Sequence, residues 1–166
     1  MLLHTERAPH NPVIRLFLFT LTAVLLLVLS WSLVHERRGS VALGVAFLIL
    51  LWATSSYLTM RFEVTDEAVR AVMWPFSTTV RYADLKYAGV TEQDLPRSLG
   101  YGLRLRGRKA FYRTRDGRGV VLEKFKKSTR YLTHLVLTTQ HPEAFARLVD
   151  ERRKAWRRLQ RSARHT

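Results

Sequence analysis

The chain has 166 residues, with 28 Lys+Arg against 13 Asp+Glu and a formal charge of +15. It contains no cysteine, which excludes disulfides, thiolate nucleophiles and thiolate metal sites. After Met60 there are 24 basic and 11 acidic residues, an excess that points to a polyanionic neighbour: anionic lipid, nucleic acid or an acidic protein surface.

Residues 1–12 read as a short N-terminal tail. Residues 13–60 hold two apolar stretches, 13–34 and 41–60, separated by a loop at 35–40 with the sequence His-Glu-Arg-Arg-Gly-Ser. At about 1.5 Å of rise per residue, either stretch crosses a hydrocarbon core of about 30 Å as a helix. Between Leu16 and Leu29 the polar side chains are Thr20 and Thr22, and the second stretch carries no charge. In lipid every backbone polar group must be satisfied within its own segment, so both stretches are expected to be helical. Six connecting residues cannot return a chain across the bilayer, and the pair reads as a transmembrane hairpin. The first stretch is longer than a signal-peptide core, and Ser30–Glu36 offers no small-x-small cleavage site, which favours an uncleaved anchor.

Arg7, Arg15, Arg37, Arg38, Arg61 and Arg70 nearly balance across the helix ends. The basic C-terminal portion shows no export signal of its own. Both termini are therefore expected in the cytoplasm, with Arg37-Arg38 outside. Trp31, Trp52 and Tyr57 suit interfacial anchoring. Ala42, Gly44 and Ala46 either permit close helix approach or are ordinary bilayer composition.

Residues 61–150 read as a small, mainly-β domain. Arg61–Thr65 alternates polar and apolar residues, Asp66-Glu67 marks a turn, and Val69–Trp74 continues as a second strand interrupted by Pro75. Thr78–Tyr82, Lys86–Thr91, Gly100–Arg106, Ala110–Thr114, Val120–Lys124 and Tyr131–Leu137 follow as further short strands, with Gln93–Ser98 as a loop. In Gly100–Arg106, Leu103 and Leu105 share one face and Arg104 and Arg106 the other. Arg115–Gly119 carries a hairpin signal, since Asp and Gly tolerate positive φ. After His141-Pro142-Glu143 the period changes to that of a helix, with an apolar stripe of Phe145, Leu148, Val149, Trp156 and Leu159. Its first half is expected to cap the sheet. Residues 151–166 read as a basic extension lying on a membrane or gripping an acidic partner.

Arg61–Glu67, the turn Trp74-Pro75-Phe76, Val80–Leu85, Leu135–Thr139 and His141–Phe145 resemble the opening and closing segments of bacterial pleckstrin-homology-like (PH-like) domains. Tyr101–Arg104 and Gly117–Glu123 are similar to the middle of some members. In those families the domain often follows a pair of transmembrane helices. The resemblance implies two packed antiparallel sheets, a sandwich or open barrel of about seven strands, closed by a C-terminal helix. It implies a bacterial inner-membrane location, a binding platform and no activity.

No catalytic constellation stands out. The six histidines are scattered; His134, inside a strand, reads as a structural residue. Gly100–Arg104 and Gly117–Val120 do not form a phosphate loop, no nucleophile elbow is present, and no cofactor is expected. Asp84 reads as a turn residue and Glu123 as an exposed strand residue. The candidate site is a basic surface: Arg104, Arg106, Arg108, Lys109, Arg113, Arg115 and Arg118 in the hairpin segments, Lys126 and Lys127 after them, and Arg153, Lys154, Arg157 and Arg158 on the helix. With the domain joined directly at Met60-Arg61, part of that surface should lie within about 8–10 Å of the bilayer, where each cation near anionic lipid contributes about 1 kcal/mol. The alternatives are a membrane-protein partner or a merely solvated basic face. Nucleic acid is disfavoured, because no recognised binding motif accompanies the charge.

Overall fold

A computed structural model describes residues 2–35, 40–91, 95, 100–125 and 132–163. They fall into two units. One is His10–Thr59; the other joins Met1–Pro9 to Met60–Thr166.

The first unit is two helices, α1 (Pro12–Val34) and α2 (Ser40–Leu58), both long and apolar enough to cross a membrane. Asn11 caps α1 by accepting from the Val13 N–H at 2.9 Å, and Pro12 fits the first turn, where no N–H is needed. Hydroxyls along both helices bond back one turn, Thr22 to the Leu18 carbonyl and Ser56 to that of Trp52. The apolar side chains face outward, as with Leu16 and Leu48, whereas a core helix of a soluble protein would bury them. Tyr57 is buried with its ring 4.9 Å from that of His10, so it is not an exposed anchor. A side chain at Gly44 would meet open space, which leaves close helix approach there without support. Arg37-Arg38 lies outside the described residues.

The second unit is built from nine described strands and one helix. Leu2–Arg7 forms β1, not a tail; it pairs antiparallel with β2 (Arg61–Thr65), Arg7 opposite Arg61 and Leu2 opposite Thr65. β3 (Ala68–Met73) and β4 (Phe76–Arg81) complete a four-stranded antiparallel sheet in the order β1-β2-β3-β4. The second sheet has the order β5-β8-β9-β7-β6, from β5 (Leu85–Val90), β6 (Gly102–Arg106), β7 (Lys109–Arg113), β8 (Val120–Lys124) and β9 (His134–Leu137). Helix α3 runs unbroken from Pro142 to Ser162, so residues 151–162 prolong the helix that caps the sheet.

Two expectations about this sheet need correcting. β7 and β8 are not a hairpin; β9 lies between them, parallel to β7 and antiparallel to β8. Leu135, Val136 and Leu137 are all buried, and three consecutive apolar residues can be covered on both faces in an inner strand. Arg115–Gly119 is therefore a crossing connection. A side chain at Gly119 would come within 3.0 Å of the Leu137 carbonyl oxygen, so glycine lets the two segments approach. The parallel pair also departs from the all-antiparallel layout that the PH-like resemblance implies.

One core joins the layers. Phe62, Val64, Val69, Ala71 and Val80 of the first sheet meet Leu85, Tyr112, Leu122, Leu135 and Leu137 of the second, and Phe145 and Val149 of α3 close the cluster. The outer face of the second sheet is covered separately by Leu95 over Phe111 and Val136. Gln93 and Ser98, the bounds of the expected loop, lie outside the described residues.

Because β1 covers the free edge of β2, a fragment starting at Arg61 exposes a row of strand hydrogen-bonding groups. We expect residues 61–166 alone to aggregate. A chain joining residues 1–8 to 60–166 through a short Asn-Gly turn should elute as a monomer in gel filtration. Tyr82 offers a second check in that chain. Its hydroxyl donates to the Thr65 carbonyl at 3.0 Å, and burial pushes its pKa up from 10.0 to about 12. Between those values the unfolded chain has lost the proton that the folded chain keeps, so stability falls as pH rises through the window. Urea midpoints should show that fall. Tyr82→Phe should flatten it while costing about 1 kcal/mol at neutral pH.

Candidate functional site

Strand direction decides where each basic residue lies. Arg7, Arg61, Met73 and Phe76 share one end of the first sheet, through the pairs Arg7–Arg61, Arg61–Val72 and Met73–Phe76. Ala8 donates to the Met60 carbonyl at 3.1 Å just beyond those pairs. The chain thus leaves the domain after Pro9 and re-enters at Met60 at one place, the junction end.

The opposite end is traced by a run of backbone bonds. Tyr82 donates to the Glu67 carbonyl, Phe125 to that of Asp84, Lys124 to that of Thr133, and Thr133 to that of Arg108. This far end therefore holds Arg106, Arg108 and Lys109 at the β6–β7 turn, with Lys124 at the end of β8. Five to six extended residues separate the two ends, about 17–20 Å. The candidate surface splits accordingly. Arg113, Arg115 and Arg118 follow the other ends of β7 and β8, where Gln140 donates to Glu6 and so ties that end to the junction side. Lys126 and Lys127 lie outside the described residues.

The expected cations also differ in burial. Arg104, Arg106, Arg108, Lys109 and Arg115 are exposed. Leu105 is exposed too, since β6 is an edge strand, so the expected apolar face of that segment reaches the core only at Leu103. Arg113 is 1 % exposed and cannot meet a ligand. Its Nη2 bonds Asp116 at 2.5 Å, its Nε donates to the Arg115 carbonyl, and its guanidinium lies 5.3 Å from the Tyr101 ring centroid. Tyr101 in turn donates to the same Asp116 oxygen at 3.0 Å. The Asp three residues after Arg113 was the signal available in the sequence for this closed network. Arg118 is half tied, with Nε on the Thr91 carbonyl at 2.9 Å and Nη1 on Glu143 at 3.3 Å.

On α3 the arginines pack the helix. Arg153 bonds the Lys86 carbonyl and Asp150, while Arg157 bonds the Leu85 carbonyl at 3.0 Å and lies over the Phe125 ring. The two β5 carbonyls are thereby satisfied by arginines of the helix face that was expected to meet a membrane or an acidic partner. The hydrogen bond from Lys154, assisted by Arg153, holds the Asp150 carboxyl below its usual pKa against the opposing effect of burial. Arg153, Lys154, Arg157, Arg158 and Arg161 line one shallow groove, all on one helix face. Leu159, the last residue of the expected apolar stripe, is 70 % exposed.

Among the described residues no group of three His, Asp or Glu is placed to hold a metal ion. His134 shares a hydrogen bond with Thr133 at 2.9 Å, and Glu123 pairs with Lys86 at 2.7 Å. What the exposed arrangement can do chemically is bind anions by charge, at two separate ends.

The two classes of arginine should separate in stability measurements. Arg113→Met removes the buried guanidinium that pairs with Asp116 and lies over the Tyr101 ring, and should cost about 2–3 kcal/mol. Arg106→Ala, on an exposed edge, should stay within about 0.5 kcal/mol. Denaturant midpoints read both.

Compared with protein-family models, with curated proteins and with solved structures, the chain matches none of them.

Proposed function

We propose that the chain is a membrane-anchored binding module without enzymatic activity. Its hairpin α1–α2 crosses the bilayer twice, and its sheet-and-helix domain remains on the cytoplasmic face of a bacterial inner membrane. The observation that carries this reading is the bond from Ala8 to Met60 beside the β1–β2 ladder. A domain sewn together from both sides of the hairpin requires an even number of crossings. It also argues against a cleaved leader, since cleavage after α1 would remove β1 from the sheet. The antiparallel four-stranded meander, the second sheet and the terminal helix support a PH-like module; the β7–β9 pair is the feature that departs from it.

The two basic ends take different tasks. Arg7, Arg61 and Arg115 on the junction side are placed for anionic headgroups. Arg106, Arg108 and Lys109 lie about 17–20 Å further along the strands, beyond the screening length of about 8 Å. They and the α3 groove serve an acidic protein surface better than the protein's own bilayer. That separation favours, as a second reading, an accessory subunit of a larger membrane complex.

The chain's lack of cysteine makes the topology testable by labelling. In intact spheroplasts an impermeant maleimide should modify Gly39→Cys but neither Thr5→Cys nor Ser162→Cys; in inverted vesicles the pattern should reverse. Labelling of Thr5→Cys and Ser162→Cys from opposite sides would sink the proposal.

A further inference from the structure

The β3–β4 turn has a composition that the core does not explain. Trp74 and Pro75 form the two-residue tip between Met73 and Phe76. Trp74 is 59 % exposed and Phe76 is 48 % exposed. Large aromatics left in water at a tight turn give up their hydrophobic contribution, so their surroundings in the assembled protein are of interest.

The strand register says where that turn points. Arg61 opposes Val72, and Met73 opposes Phe76. The residue before Arg61, Met60, is therefore level with Met73, and the Trp74-Pro75 tip lies just beyond it at the end where the chain enters the domain. Sideways, the tip is one to two strand spacings from β2, about 5–10 Å. Arg7 and Arg61, both exposed, flank the same end. Trp and Phe beside arginines whose stems can run along an apolar surface is the composition of a bilayer interface. The other end of the same sheet is its opposite: the β2–β3 turn there is Asp66-Glu67, exposed and acidic.

We infer that the Trp74-Pro75-Phe76 turn is a third membrane contact, seated in the headgroup and upper acyl region of the leaflet from which the hairpin emerges. The inference rests on the reading that α1 and α2 span the bilayer. Two chain crossings fix the domain at one place but leave it free to tilt. An aromatic contact one or two strands to the side removes that freedom and sets the angle at which the far end is presented.

Full-length protein in phosphatidylcholine–phosphatidylglycerol nanodiscs provides the test. An environment-sensitive fluorophore is attached at Trp74→Cys, at Asp66→Cys on the other end of the sheet, and at Leu48→Cys in the middle of α2. Lipids carrying a nitroxide near the top of the acyl chain should quench the probe at 74 at least about threefold more than the probe at 66. A nitroxide near the chain end should quench the probe at 48. If 48 is quenched while 74 behaves like 66, the turn contact is wrong and the hairpin reading stands. If 48 is not quenched, the hairpin reading fails and the turn contact falls with it. If 74 is shielded from both lipid nitroxide and aqueous iodide, its neighbour is protein, which also overturns the inference. A second variant, Ser77→Cys at the exposed start of β4, repeats the measurement with both aromatics in place and must give the same ranking.

Discussion

Everything about the arrangement of this chain depends on the pairing of β1 with β2 around the inserted helices. The ladder runs from Leu2–Thr65 to Arg7–Arg61 and is continued by the bond from Ala8 to Met60. In topological terms the helices occupy the place of an ordinary β-hairpin turn, a turn 50 residues long from His10 to Thr59. Closing a loop of that length costs only a few kcal/mol in a flexible chain, because the entropy grows with the logarithm of length. The cost is lower still if the loop folds back on itself first, as two helices joined by a short connection do.

The basic composition carries two physical roles that sequence alone does not separate. A guanidinium has five donors and no acceptor, so it can neutralise charge or terminate carbonyls with equal ease. Arg113, Arg153 and Arg157 do the second. They bond Asp116, two β5 carbonyls and Asp150, and they hold α3 and the β7–β8 connection in place. Arg104, Arg106 and Lys109 remain exposed along an edge strand and its turn, where charge also discourages pairing with another chain. Lys124 lies between these cases: half-buried at the same far end, it has its pKa lowered by desolvation.

The helices and most strands could be read directly because each leaves a local signature. An uncharged apolar run of about 20 residues admits few structures, and period-two alternation places Phe62 and Val64 together in the core. β1 left no such mark. Leu-Leu-His-Thr-Glu-Arg does not alternate cleanly, and the partner strand that fixes its place is 54 or more residues away. The position of β9 was equally hidden, since the Asp-Gly signal at 116–117 describes a turn and not the strand that later inserts beside it. The basic site suffered from the same blindness to direction. Arg106–Lys109 and Arg113–Arg118 are close in sequence, yet one five-residue strand carries the chain from one end of the domain to the other between them.

That alternation of direction gives the domain a polarity. At the junction end lie Trp74, Phe76, Arg7 and Arg61; at the far end lie Arg106, Arg108, Lys109 and the last turns of α3. The two ends lie about 17–20 Å apart along the strands, about two Debye lengths in physiological salt, so the charges of one end are largely screened from the other. The exposed cations of the far end form a positive patch of their own, which can attract anionic groups by charge. The same separation lets the two ends be altered independently.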